Sequence, residues 1–222
     1  MISNIRIGVW LAAFSMLILG GCAAPKTYDY SAFLRAKPAS LLVMPPVSEA
    51  PDVEATPGVW AQATRPLAEA GYYVLPVTLV DETLRQNGVF TADDAQGISV
   101  QKLREVFGAD AAVYLKVKQY GTTYAVISSE TRVHVEGRII DLRTGDLLWQ
   151  GTAFASSAEQ QNNSSGLAGI LIAAIVNQIV AVASDAAFTY AGVADQRLLG
   201  LRMNGVLPGP RSPLYGNVLS AK

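Results

Sequence analysis

Leu19-Gly20-Gly21-Cys22 places the chain's only cysteine directly after an apolar run that closes in small residues. A thiol in that position accepts a diacylglyceryl group, and cleavage between Gly21 and Cys22 then leaves Cys22 as an acylated N-terminus. Arg6 supplies a positive n-region, and residues 7–19 are uncharged, too short and wrongly flanked for a lasting transmembrane helix. Residues 1–21 therefore read as a lipoprotein signal peptide. Each buried methylene contributes about 0.8 kcal/mol, so the three acyl chains expected on such a cysteine hold it firmly in a leaflet. Ala23, not Asp, follows the cysteine. By the usual sorting rule of enteric-type envelopes, that places the anchor in the outer membrane and the folded body in the periplasm.

Little else in the chain has the makings of chemistry. His134 is the single histidine, so no histidine zinc cluster is available and no Ser-His-Asp arrangement can be assembled without it. It sits on the polar side of a strand pattern, where a solvated or hydrogen-bonded role is expected. Asp93-Asp94 and Asp81-Glu82 are adjacent carboxylates; neighbouring residues on a helix or strand point apart, so these read as caps and turn residues. The glycines follow no phosphate-cradling spacing. Removing residues 1–21 takes away Arg6 from the 17 basic and 18 acidic side chains, leaving 16 − 18, a charge of −2 without a basic cluster. Nucleic-acid binding needs a dense cationic face, and none is present. With Cys22 acylated, no disulfide can form. The chain is expected to be no enzyme and to need no metal or cofactor beyond the covalent lipid.

The mature 222 − 21 = 201 residues suffice for one domain with a sizeable core. Residues 22–38 read as a lipidated tether, in which Tyr28, Tyr30 and Phe33 either pack back onto the domain or sit at the lipid interface. Residues 39–204 form the expected αβ domain. Ser40 opens a short apolar strand ended by Pro45-Pro46. Residues 57–70 carry Val59, Trp60, Ala63, Leu67 and Ala70 at helical spacing, stopped by Gly71. A strand at 72–76 follows, then a helix with Leu79, Thr83 and Leu84 on one face, ended by Asn87-Gly88. Residues 99–107 predict a third helix with Val100, Leu103, Val106 and Phe107 inward.

After Gly108 the period changes from 3.6 to 2. Val113, Leu115 and Val117 alternate with Tyr114, Lys116 and Lys118; Val133, Val135 and Ile139 alternate with His134, Glu136 and Arg138. If the two strands are neighbours, cross-strand ion pairs can join the polar sides, which together offer a docking surface. Gly145 is placed to supply the positive φ of a hairpin loop at 141–146, with a returning strand at 147–155. A polar break at 160–165 precedes residues 166–183, which carry no charge. That segment reads as a buried helix running on to about Ala194, where Asp185 and Asp195 restore polarity; a second membrane anchor is the alternative. Its small residues permit close backbone approach, making Gly166, Gly169, Ala173 and Asn177 the candidate self-association or partner surface. Residues 205–222 form a Pro/Gly-rich tail. Its Leu214-Tyr215 either docks in a partner's groove or packs on its own domain.

Several local motifs together carry a family resemblance: Met44-Pro45-Pro46 with Glu49-Ala50-Pro51-Asp52-Val53, Pro66-Leu67-Ala68-Glu69-Ala70-Gly71-Tyr72-Tyr73, Val80-Asp81-Glu82-Thr83 with Gln86-Asn87-Gly88, Phe107-Gly108-Ala109-Asp110-Ala111, Tyr120-Gly121-Thr122, and Asp141-Leu142-Arg143-Thr144-Gly145. From about Tyr28 to Leu201 the chain resembles the neisserial genome-derived-antigen lipoproteins, a family of unknown function. The resemblance implies an α/β (α+β) fold with a mixed sheet and flanking helices, similar to the TolB N-terminal domain and to the periplasmic part of the curli secretion-channel lipoprotein. A long C-terminal apolar helix would be added to it. It further implies a non-enzymatic accessory or assembly subunit of an envelope secretion or transport complex, with envelope proteins as partners, among them a curli-channel-like lipoprotein, or further copies of itself. The alternative is a channel-forming subunit, for which residues 124–140 are the candidate lipid-facing strand.

Overall fold

The computed structural model describes residues 28–124, 129–159 and 186–216. The signal segment, Gly21, Cys22 and the small-residue segment with Gly166, Gly169, Ala173 and Asn177 lie outside the described residues.

The apolar run after Ser40 becomes β1 (Ser40–Val43), whose Leu41, Leu42 and Val43 are fully buried, as a strand covered on both faces must be. It pairs in parallel with β3 (Tyr73–Val74) on one side and with β4 (Ala111–Tyr124) on the other. Past the Pro45-Pro46 interruption, β2 (Val47–Ser48) runs on beside β4, with Val47 opposite Lys116. The period-2 segments form β4, β5 (Ser129–Asp141) and β6 (Leu147–Ser156), paired antiparallel. The sheet order is β3-β1-β4-β5-β6, with β2 attached to β4. Gly145 adopts φ +82° in the β5–β6 connection, the conformation for which glycine was expected there.

Six helices are described: α1 (Ser31–Ala36), α2 (Ala55–Glu69), α3 (Val77–Gln86), α4 (Ala92–Gln96), α5 (Val100–Phe107) and α6 (Ala186–Leu199). The chain leaves β1 for β3 through α2, then crosses back to β4 through α3, α4 and α5. Right-handed crossovers in opposite directions fall on opposite faces of a sheet. The parallel half is thus sandwiched. Over the antiparallel half, α6 packs on α2 and covers β4, β5 and β6 from one side. Glycines set its depth: Leu115, Gly137 and Gly151 form one register row, and a Cβ on Gly137 would lie 3.1 Å from Leu198 Cδ2 of α6. Val133, Val135 and Ile139 are fully buried, so the apolar side of β5 is occupied by protein core rather than free to face lipid. No helix among the described residues is long and apolar enough to cross a membrane.

Four features differ from the sequence reading. Val80 and Leu84, one turn apart, are the buried positions of α3, which leaves Leu79, about 100° round the helix, 64% exposed. Val106 of α5 is likewise exposed, and Leu103 carries that helix's burial. Asp195, expected to restore polarity, has no exposed surface at all. The five-residue α4 is too short for a period to register; its signal is the cap, in which Thr91 accepts from the Asp94 amide.

The chain on either side of the expected domain is built into the same body. Tyr30 and Phe33 are buried, and the Tyr30 hydroxyl donates to Gly205 O at 2.5 Å. Of the two alternatives for these aromatics, packing back is the one found. The tail is tied down by Gly209 N donating to Ala70 O and Arg211 N donating to Gly71 O, with Val206 and Leu207 buried. Gly71 makes this crossing possible: its φ is +96°, and a Cβ there would stand 2.4 Å from the Ser212 amide nitrogen.

Candidate functional site

Because α2 and α6 occupy one face of the antiparallel half, the other face of β4, β5 and β6 presents its alternate side chains outward. Register places them in rows: Tyr114, Arg138 and Gln150 in one, Lys116, Glu136 and Thr152 in the next, then His134 with Phe154. Gln96 of α4 and Val47 of β2 wall this surface on one side and Tyr28 on the other, enclosing a groove of about 690 Å³. Gln96 is held there by donating to Pro45 O and Leu115 O.

The two lysines on this face are paired, though not across the strands as the alternation suggested. Glu49, from the turn after β2, reaches Lys116 Nζ at 2.6 Å and Lys118 Nζ at 2.5 Å. Lys116 and Lys118, two apart on β4, share one side of the strand, so one carboxylate serves two ammonium groups; the β4–β5 register shifts between Val117 and Gln119. Hydrogen bonds from Lys116 and then Lys118 hold the Glu49 carboxyl down at about 2, and Glu49 in turn raises the Lys116 ammonium. Glu136, directly opposite Lys116, stays exposed. The Arg138 guanidinium lies 5.0 Å from the Tyr114 ring centroid and covers it.

His134 Nε2 lies 2.8 Å from Thr152 Oγ1, with Phe154 edge-on at 6.4 Å. Among the described residues no carboxylate bonds the other ring nitrogen, so the orienting group that a nucleophile–base pair requires is not in place. Asp94 caps α4 with Thr91, and Asp81 pairs with Arg85 one turn along α3. Asp94 thus stands at a helix start, as a cap reading expects, whereas Asp81-Glu82 lies within α3 and not at a cap or turn, because the helix runs on from Val77 to Gln86. Among the described residues no group of three or more His, Cys, Asp or Glu is placed to hold a metal.

The face ends at β6, whose outward backbone groups are largely taken by side chains. Gln150 N donates to the Tyr28 hydroxyl, Arg197 donates to Phe154 O, and Ser156 N donates to Glu159, itself bonded to Arg197. Such caps blunt an edge strand against pairing with another chain. What the arrangement offers a partner is therefore the broad face and its groove, with both charge signs, an arginine-covered tyrosine and a 40% exposed Phe154.

At the far end of these strands Asp141 is buried. Burial opposes its ionised form, but the two-oxygen contact of Arg143, with amide donors from Arg143 and Thr144, outweighs it and holds the carboxyl below its ordinary value. Arg143 also donates to Ala36 O at 2.6 Å, fastening the hairpin to α1. Sequence reading did not find these roles for Arg143 and Glu49, although both stand in motifs quoted for the resemblance.

The family model for GNA1162-like proteins, described as "Putative lipoprotein GNA1162-like", matches residues 28–211. The chain belongs to this family. The "Putative lipoprotein NMB1124/NMB1162" of Neisseria meningitidis serogroup B is 43% identical over 205 residues, covering 90% of this chain and 94% of the relative. The crystal structure of lipoprotein GNA1162 from Neisseria meningitidis is similar at 45% identity and a TM-score of 0.53, over 65% of this chain and 99% of that one. The mixed α/β sheet with flanking helices is thus the fold of GNA1162-like lipoproteins, and the matched span begins at Tyr28, where the described body begins.

Proposed function

We propose that this GNA1162-like chain is cleaved behind Gly21, lipidated on Cys22 and held at the outer membrane. Its periplasmic body then serves as a non-enzymatic accessory or assembly subunit of an envelope secretion or transport complex. Membership of a lipoprotein family and the cysteine-bearing signal support the anchor. The observation that carries the docking role is the face of β4, β5 and β6 that no described helix covers, where Arg138, Glu136, Lys116 and Thr152 line a groove while α6 packs on the opposite face. Protein interfaces favour arginine and aromatic anchors set in a polar rim, and this face supplies both. The reading requires no cofactor other than the covalent lipid. Gly166, Gly169, Ala173 and Asn177 remain part of the proposal as a self-association or partner contact.

A photo-crosslinking residue at Arg138 or Thr152 in intact cells, followed by mass spectrometry, tests the docking face. Adducts with one envelope protein from those positions, and none from Glu82 on α3, are the expected result. Equal yields from all three positions, or no adduct from the face, would refute it. Palmitate labelling that persists in Cys22→Ser would refute the anchor.

A further inference from the structure

Residues 23–27 are all that separates Cys22 from the described body. Six Cα-to-Cα links at no more than about 3.6 Å each span roughly 20 Å, so Tyr28 stays within that reach of an acylated Cys22. Tyr28 is itself pinned, its amide donating to Asn204 Oδ1 at 3.1 Å and its hydroxyl accepting from Gln150 N. The body therefore cannot swing out on a long leash. Whatever surface adjoins Tyr28 is kept close to the headgroups.

Tyr28 borders the groove of the β4–β6 face and leads directly into α1, which begins three residues later; the outer surface of α1, continued by the end of the tail, lies within the same short reach. Leu34 and Tyr215 are 43% and 46% exposed and share the rim of a hollow of about 130 Å³, floored by Phe33, Tyr72 and Leu207. Arg35 and Lys37 stand exposed beside it. Apolar side chains, a tyrosine and long cations together suit a bilayer interface: the rings and aliphatic groups enter the headgroup layer, and the cations meet anionic phosphates. We infer that the surface around Leu34 and Tyr215, with Arg35 and Lys37 beside it, rests on the phospholipid headgroups of the bilayer that holds Cys22. This rests on the lipidation of Cys22 proposed above. The sheet then stands with the base of β4 near the membrane, where Asp141 lies opposite Ala111 and Arg143 is fastened to α1. Gly121, ten residues along β4, lies about 33 Å away along the strand. Val53, next to the Asp52 carboxylate that neighbours Gly121, is 84% exposed at that distal end.

The test uses the mature lipoprotein in phosphatidylethanolamine–phosphatidylglycerol vesicles. Since Cys22 carries its lipid on sulfur, Leu34→Cys, Tyr215→Cys and Val53→Cys each provide a single free thiol for a fluorophore. Labels at 34 and 215 should be quenched by lipid-borne nitroxide and should lose quenching by aqueous iodide, and the label at 53 should do the reverse. Iodide quenching at 34 and 215 equal to that at 53 overturns the inference, as does protection from iodide without nitroxide quenching, which points to a protein covering the surface. If a label at Leu34 disturbs folding, Lys37→Cys reads the same surface from an exposed position. The mass of the N-terminal peptide separates the two proposals: a peptide without acyl groups overturns both, whereas an acylated, vesicle-bound protein with water-exposed labels overturns only this one.

Discussion

Replacing Asp195 with Asn should flatten the pH dependence of stability above pH 5. Asp195 sits in α6 with no exposed surface, and among the described residues neither carboxylate oxygen has a hydrogen-bond partner. Burial raises its carboxyl well above the ordinary value. A carboxyl whose folded pKa is raised favours the fold while protonated. Its contribution is complete below the unfolded value near 3.8 and is lost as pH climbs through the raised folded value. Between those limits the wild-type protein should lose about 1.4 kcal/mol of unfolding free energy per pH unit from this one group. An amide has no proton to lose, so Asp195→Asn should lack that slope. Urea unfolding of both proteins at pH 5, 6, 7 and 8 measures it, because every other titrating group cancels in the difference between the two curves. Parallel curves over the whole range would show that Asp195 is charged or partnered in the fold and would refute the reasoning.

Other consequences follow from single contacts. Gly71→Ala forces a side chain onto a positive-φ residue and against the Ser212 backbone, so thermal unfolding should reveal a loss of about 1–3 kcal/mol and earlier proteolysis of the tail. Arg143→Ala removes the two-oxygen partner of Asp141, and a loss of about 1 kcal/mol is expected at pH 7. Asp141 is held below its ordinary value, so that loss should shrink as pH falls through the folded pKa, which acid titration of the two proteins will measure. Glu49→Gln frees Lys116 and Lys118 at an exposed site; the melting temperature should hardly move, while crosslinking from position 138 should fall. Gly169→Leu and Ala173→Leu should change oligomer mass or stability by overpacking, and light scattering with unchanged values in both would count against a contact there.

Alternation along 113–118 and 133–139 made two of the three long strands and their polar sides legible, because a period of two depends on neither partner nor packing, and the hairpin loop at 141–146 implied the third. Ser99 and Gly108 likewise marked the ends of α5, and both cap it as local chemistry requires, the glycine at φ +67°. The candidate face was legible as a set of residues and not as a set of bonds. Nothing local couples Glu49 to Lys116, 67 positions away; they meet because β2 lies beside β4. The side of α3 that is buried was misread for a similar reason, since Leu79 and Val80 are both apolar and only the elements packed against the helix, α2 among them, select between them.

From residue order alone come the acylation motif at Cys22, the absence of a dense basic face, the exchange of helical for strand periodicity after Gly108, and the glycine-bearing hairpin at 141–146. These depend on charge, composition and backbone stereochemistry within a few positions. Tertiary structure alone decided that residues 28–38 and 205–212 close onto the body and that, among the described residues, no helix covers one face of β4, β5 and β6 and Asp195 is enclosed without a hydrogen-bond partner. Those outcomes depend on which side of the sheet each crossover takes and on how deeply glycine gaps let α6 settle, and both are properties of segments far apart in the chain.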